Sequence, residues 1–240
     1  MSVPHTRQKT SASRSSDSGT GPSRRQVVAA SVAGGLGVAA LGTSAAEAAS
    51  TTRVGLAPRG STAVEFRARI EQNGITGSAF KSYGYLTRLT NTTVASLFDT
   101  TPHNESSALL TAFATGDLRA RVLDMQVHSL DIIGTMTVYQ RRHGGADFGT
   151  PSSFRVGTIV GRFDVRLQDV LTVFAAGQGL PTLTGDMVQT VARPMHGPLA
   201  GKTFGRKDNR LRMFATGLGQ LIDPVTFVAQ LEIAGNWAVE

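Results

Sequence analysis

The chain has 240 residues, a formal net charge of +7 and no cysteine. The lack of cysteine excludes disulfide bonds and thiolate metal sites, so the fold depends on core burial alone. The charge does not indicate a nucleic-acid partner, because five basic and two acidic side chains lie in the first 48 residues and the remainder carries only +4. We also find no basic run interleaved with aromatic residues, which nucleic-acid binding would favour.

The N-terminal segment has the organisation of an export signal. Arg24 and Arg25 precede an apolar run over residues 27–41, and Ala46-Glu47-Ala48 suits a signal peptidase. This arrangement resembles a twin-arginine signal, which implies recognition by the twin-arginine export machinery and a secreted, extracellular protein. An uncleaved membrane anchor is the alternative, because the apolar run approaches the length of a span. We expect residues 1–48 to be removed by cleavage after Ala48.

The folded domain is expected to cover residues 62–240. Residues 49–61 are rich in Thr, Ser, Gly and Pro without periodicity, and we interpret them as a flexible lead-in. Polar and apolar residues then alternate over residues 64–71, which predicts a strand. Asn73-Gly74 follows as a hairpin signal, and a second strand is predicted from Ile75 to about Leu89.

The middle of the chain predicts shorter strands. Residues 90–107 are polar and are interpreted as a long loop. Strands over 109–114 and 118–123 are predicted on either side of a turn at Thr115-Gly116-Asp117. Residues 125–139 are rich in β-branched side chains towards their end, which indicates a further strand, and 140–153 form a loop.

The stretch from Phe154 to Val173 is the strongest strand signal in the chain. Phe163, Val165 and Leu167 share one face of the predicted strand. The four polar residues between and beside them share the other face, namely Arg162, Asp164, Arg166 and Gln168. Side chains alternate between faces with this period only in a strand, and the length of the pattern predicts a large antiparallel sheet.

The remaining segments complete about eight predicted strands and no long helix. A turn at 177–181, a strand over 183–191, a loop over 193–201 and a final pair over 211–221 and 226–234 are predicted. Such a pattern is typical of a sandwich or a closed barrel. Glycines inside strands favour the barrel, because they let strands coil, although they also occur at ordinary turns; these are Gly134, Gly157, Gly161, Gly185 and Gly217. We therefore predict an all-β antiparallel eight-stranded barrel.

Several short segments are similar to secreted bacterial proteins related to the allene oxide cyclase and dirigent barrels. The segments are Gly134–Tyr139, Phe154–Phe163 with Gly157 and Thr158, Phe204-Gly205-Arg206 and Ala234-Gly235-Asn236. The resemblance spans most of residues 62–237 and implies an eight-stranded barrel with a central cavity. It also implies action on hydrophobic reactive intermediates and association into dimers or trimers. No catalytic residue of the family aligns onto this chain.

The sequence contains few candidates for chemistry. It has no nucleophile elbow, phosphate loop or dinucleotide motif, and its histidines lack metal-ligand spacing, so we predict no cofactor and no metal. His128, with Asp131 nearby, is a candidate general acid or base if it faces a cavity, and a surface histidine otherwise. Gln168 and Glu232 are further weak catalytic candidates.

Five residues are weak candidates for ligand binding. If the polar face of the long strand points inward, Arg162, Asp164 and Arg166 would line a cavity, and Gln168 and Asp169 would hydrogen-bond a carbonyl near its mouth. If that face points outward, cross-strand ion pairs explain the charged residues. Tyr83 and Tyr85 would belong either to a ligand cage or to the core.

Two functions follow as hypotheses. The first is a barrel that binds a small hydrophobic molecule and acts on it as a cofactor-independent cyclase or isomerase, by enforcing its conformation. The second is a non-catalytic extracellular or envelope protein on the same barrel. A sealed apolar cavity of several hundred cubic ångströms with a few polar groups would favour the first, and a filled core the second.

Overall fold

The computed structural model describes residues 52–73, 75, 77, 79–225 and 228–240. The predicted export signal, with Arg24, Arg25 and Ala48, lies outside the described residues. So does Gly74 of the predicted hairpin. Among the residues described, no helix has the length and apolar character needed to cross a membrane.

The described chain consists mainly of strands. Ten are present: β1 (Thr52–Val54), β2 (Thr62–Asn73), β3 (Ala79–Leu89), β4 (Leu110–Asp124), β5 (Val127–Gln140), β6 (Thr158–Ala175), β7 (Gln178–Ala192), β8 (Lys202–Phe204), β9 (Arg210–Asp223) and β10 (Val228–Val239). Three short 3₁₀ helices lie in the connections, at Val94–Leu97, Pro151–Arg155 and Gly197–Leu199.

The eight long strands close into an antiparallel barrel. Their order around the barrel is β10-β2-β3-β4-β5-β6-β7-β9, and β10 pairs with β9 to complete the circle. The two short strands β1 and β8 form a separate parallel pair. The predicted all-β eight-stranded barrel is thus confirmed.

The alternation along β6 sorts its side chains between the lumen and the solvent. Phe163, Val165 and Leu167 are buried inside the barrel. The polar residues Arg162, Asp164, Arg166 and Gln168 are exposed on the outer face. Arg166 there pairs with Asp131 of β5 at 3.2 Å, as expected for a cross-strand ion pair on a solvated face.

The turn predicted at Thr115-Gly116-Asp117 is wrong. β4 continues through these residues, and Gly116 lies opposite Gly134 of β5. A Cβ atom on Gly134 would lie 2.1 Å from the carbonyl oxygen of Thr115, so glycine serves close strand approach here. The chain turns instead at Met125, whose φ of 47° is left-handed. A glycine in the sequence is compatible with either role, and only the pairing distinguishes them.

Two other boundaries differ from the sequence prediction. Part of the predicted lead-in forms β1, and its Val54 is fully buried. β7 begins at Gln178, so Pro181 lies inside a strand and not in the predicted turn. The β7–β9 register skips residues 180 and 181, which explains how a residue without an N–H fits there.

The two ends of the barrel differ. The long connections, which cover residues 90–109, 141–157 and 193–209, lie at one end. There Trp237, Phe163 and Phe204 pack together inside the barrel, with ring centroids 5.5 Å and 6.2 Å from that of Phe163. The tight hairpins β4–β5, β6–β7 and β9–β10 lie at the other end, which we call the hairpin end.

Candidate functional site

The hairpin end of the barrel contains a cavity of about 200 Å³, here called the mouth cavity. Its lining is largely apolar and comes from several strands around the barrel. The apolar residues are Leu123, Leu130, Leu171, Val173, Leu221, Ala229 and Leu231. The polar lining comprises Gln72, Arg121, His128, Gln178 and Gln220. This composition, apolar walls with a few polar groups, is typical of sites for small hydrophobic ligands.

The strand ends around the mouth cavity carry exposed apolar side chains. Met125 at the β4–β5 turn is 94% exposed, and Val225 beyond β9 is 82% exposed. Val122, Phe174 and Ile222 are exposed on the neighbouring strand ends. Exposed apolar residues gathered at one place mark a binding surface more often than singly scattered ones do. Val122, Phe174 and Ile222 each precede or follow a residue that lines the cavity, so this apolar surface lies on the outside of the hairpin end, around the cavity.

A buried polar pair crosses the barrel below the mouth cavity. Nε2 of Gln72 donates a hydrogen bond of 3.3 Å to Oδ2 of Asp169. Gln72 lies on β2 and Asp169 on β6, four strands apart in either direction around the barrel, so the bond spans the lumen. Asp169 is fully buried and Gln72 nearly so. We call this pair the polar floor.

Strand alternation places both members of the polar floor inside the barrel. Asp169 continues the inward row of β6 that contains Val165 and Leu167. Gln72 continues the inward row of β2 that contains Ile70. Each is thus a polar residue at an inward position, where the other residues of the same row are apolar.

The polar floor separates the mouth cavity from a smaller central cavity of about 40 Å³. Leu167 lines the central cavity and Leu171 the mouth cavity, and Asp169 lies between them on β6. Three methionines line the central cavity, namely Met136, Met187 and Met213. The lumen is therefore divided, in contrast to the single sealed cavity of several hundred cubic ångströms that would mark the first hypothesis.

The carboxyl of Asp169 in the polar floor is a weaker acid than an exposed carboxyl. Burial raises the pKa of Asp169 from its ordinary 3.8 to about 6, and the hydrogen bond from Gln72 opposes part of the rise. Oδ1 of Asp169 and Oε1 of Gln72 have no hydrogen-bond partner among the described residues. A buried acceptor without a donor costs about 1–3 kcal/mol, so both atoms would gain from a donor.

The three catalytic candidates from the sequence lie in different places. His128 is partly buried and lines the mouth cavity. Gln168 is exposed on the outer face, where its Nε2 donates to Oγ of Ser129 at 3.4 Å. Glu232 is also on the outer face and accepts a 2.6 Å bond from Arg69. Only His128 of the three is near the mouth cavity.

The five ligand-binding candidates lie away from the mouth cavity. Arg162, Asp164 and Arg166 are exposed on the outer face of β6. Tyr83 is buried in a cluster with Phe113, Ala146 and Phe154, separate from the main core. Its hydroxyl donates to Oε1 of Glu71 at 2.7 Å, and burial raises its pKa to about 12. Tyr85 is buried and packs edge-on against Phe98.

Sequence reasoning missed the polar floor. It grouped Asp169 with Gln168 at the strand end and left Gln72 out. The signal was present in the alternation, because Asp169 is two residues after Leu167 and Gln72 is two residues after Ile70. A polar residue in register with an apolar row predicts a buried polar group, and the pairing of the two residues needed the closed barrel.

The described residues contain no group of three or more His, Asp or Glu side chains placed to hold a metal ion. Comparisons with protein-family models, with curated proteins and with solved structures find no match.

Proposed function

We propose that this barrel binds a small hydrophobic molecule in the mouth cavity. The observation that carries the proposal is a largely apolar cavity of about 200 Å³ with exposed apolar side chains around it and a buried polar pair at its floor. Apolar walls favour transfer of a hydrophobic molecule from water, at roughly 25 cal/mol for each square ångström buried. The few polar groups would fix its orientation.

The size of the cavity limits the ligand. Pockets for drug-sized molecules hold roughly 300–1,000 Å³, so the mouth cavity suits a smaller molecule or one end of a longer one. The resemblance to the allene oxide cyclase and dirigent barrels supports a hydrophobic ligand. The predicted twin-arginine signal favours binding outside the cytoplasm, so we include the hydrophobic ligand and the extracellular location in the proposal.

Filling the mouth cavity should abolish binding. Ala229 lines the cavity and is buried, so Ala229→Phe would place a ring in the space of the ligand. We expect the affinity for the fluorescent probe 1-aminoanthracene to fall at least tenfold, measured by fluorescence titration. Thr172→Phe adds the same ring at an exposed position of β6 and is the control. Equal binding by both variants would show that the probe binds elsewhere.

A second candidate function is acid–base catalysis by a cofactor-independent isomerase or cyclase. The observation that favours it is the raised pKa of Asp169, because a carboxyl with a pKa of about 6 can take up and release a proton near neutral pH.

Proton transfer is testable with 5-nitrobenzisoxazole. A general base removes its ring C–H proton while the N–O bond breaks, which yields the coloured 2-cyano-4-nitrophenolate. We expect Asp169→Asn to lower the rate by about 10²-fold or more, because the base is lost. The rate should also rise as the pH increases through about 6, where the carboxyl ionises. Equal rates for the two proteins would leave binding as the function.

A further inference from the structure

The polar floor contains two acceptor atoms that have no donor within the described residues. Its one internal hydrogen bond uses Nε2 of Gln72 as the donor and Oδ2 of Asp169 as the acceptor. The two oxygens that remain, Oδ1 of Asp169 and Oε1 of Gln72, are both buried and have no partner in the part of the chain that the structure describes. An incoming group that itself accepts hydrogen bonds would leave these oxygens unsatisfied.

We propose that the molecule bound in the mouth cavity carries a hydrogen-bond donor, a hydroxyl or an amine, on the end that reaches the polar floor. This donor replaces the amide of Gln72 at the carboxyl of Asp169. The inference rests on the proposed binding function and names the chemistry of the ligand. Asp169 now accepts a hydrogen bond from an N–H group of Gln72. A ligand group that takes the place of this amide must therefore donate a hydrogen bond as well.

The displacement of Gln72 is compatible with its contacts. Its bond to Asp169 measures 3.3 Å, longer than the usual 2.9–3.0 Å of N–H···O bonds. The Gln72 side chain lines the mouth cavity, so a ligand meets it before it meets Asp169.

The walls of the mouth cavity do not favour an anionic end at the floor. Leu130, which lies opposite Asp169 on β5, and Leu171, two residues after Asp169 on β6, both line the cavity. Neither supplies a donor to a carboxylate, and the oxygens of Asp169 would repel it. Arg121 and His128 line the cavity towards the strand ends, so an anionic ligand would enter with its tail first and its charge at the entrance.

A chain-matched series separates these possibilities. Octan-1-ol carries a donor and octanal only an acceptor on the same hydrocarbon chain. We expect octan-1-ol to displace 1-aminoanthracene at pH 7.5 with an affinity about tenfold or more above that of octanal, since a hydrogen bond to a charged acceptor contributes on that scale. Equal affinities of the two compounds would overturn the donor requirement but leave binding in the cavity intact.

Two variants link the preference to the polar floor. Asp169→Asn has a donor of its own and no charge, so the ratio of octan-1-ol to octanal affinity should fall towards one. Gln72→Ala removes the competing donor, so the affinity for octan-1-ol should rise severalfold. Gln168→Asn, on the outer face of β6, should change neither. The inference would be refuted if Asp169→Asn kept the ratio of octan-1-ol to octanal affinity and Gln72→Ala kept the affinity for octan-1-ol. If neither the probe nor any of the compounds bound, the proposed function itself would be refuted.

Discussion

Replacement of Phe163 by alanine should lower the free energy of unfolding by about 3–5 kcal/mol, the usual cost of removing a fully buried phenylalanine ring. Phe163 has no exposed surface, and its ring packs against those of Trp237 and Phe204 inside the barrel. The neighbouring strands are fixed by the closed hydrogen-bond ladder, so they can collapse only partly into the space left behind.

The measurement is urea unfolding followed by fluorescence and circular dichroism. Trp237 is the only tryptophan in the sequence and its ring centroid lies 5.5 Å from that of Phe163, so its emission reports on the affected core. Arg162→Ala, one residue earlier on the outer face, is the control and should change stability by less than about 0.5 kcal/mol. Similar losses in the two variants would contradict the inward orientation of Phe163.

Replacement of Asp169 by asparagine should stabilise the protein at pH 8 and leave its stability unchanged at about pH 3. The folded-state pKa of about 6 exceeds the ordinary value of 3.8, so the folded protein holds this proton more tightly than the unfolded chain does. The corresponding stability is fully present below pH 3.8 and is lost as the pH rises to 6 and beyond. At 1.36 kcal/mol per pH unit, the loss is about 3 kcal/mol, and asparagine avoids it because it never ionises.

The comparison requires unfolding curves of both proteins between pH 3 and pH 8. The difference between their free energies of unfolding isolates Asp169 from the other titrating groups. Asp164→Asn, on the exposed face of the same strand, is the matched control and should show no such pH-dependent gain. Parallel pH profiles of wild type and Asp169→Asn would show that the buried carboxyl has its ordinary acidity.

These two results would distinguish structural from functional residues. Phe163 stabilises the fold, whereas the charge of Asp169 destabilises it at neutral pH. A residue that lowers stability inside the lumen, at the floor of an apolar cavity, is the kind of group that functional sites contain. The stability measurements therefore complement the binding and proton-transfer assays proposed above.

The sequence by itself determined the fold class and separated the two faces of the clearest strands. The two-residue alternation along β6 divided its side chains into a polar and an apolar face, because side chains of a strand point alternately to opposite faces whatever the remainder of the chain does. Only the closed barrel decided that the apolar face is the buried one. The number of such segments and the glycines within them predicted a barrel. The same alternation puts Asp169 and Gln72 in the apolar rows of their strands.

Tertiary structure alone decided how distant residues meet. The sequence around Gly116 is typical of a turn. In the structure Gly116 is part of β4, because it pairs with Gly134 of β5 directly opposite it. Gln72 and Asp169 are 97 residues apart and touch only because β2 and β6 occupy opposite sides of one closed barrel. Local alternation fixes the face of a side chain, but barrel closure and register fix its partner across the lumen, and these depend on the pairing of all eight strands.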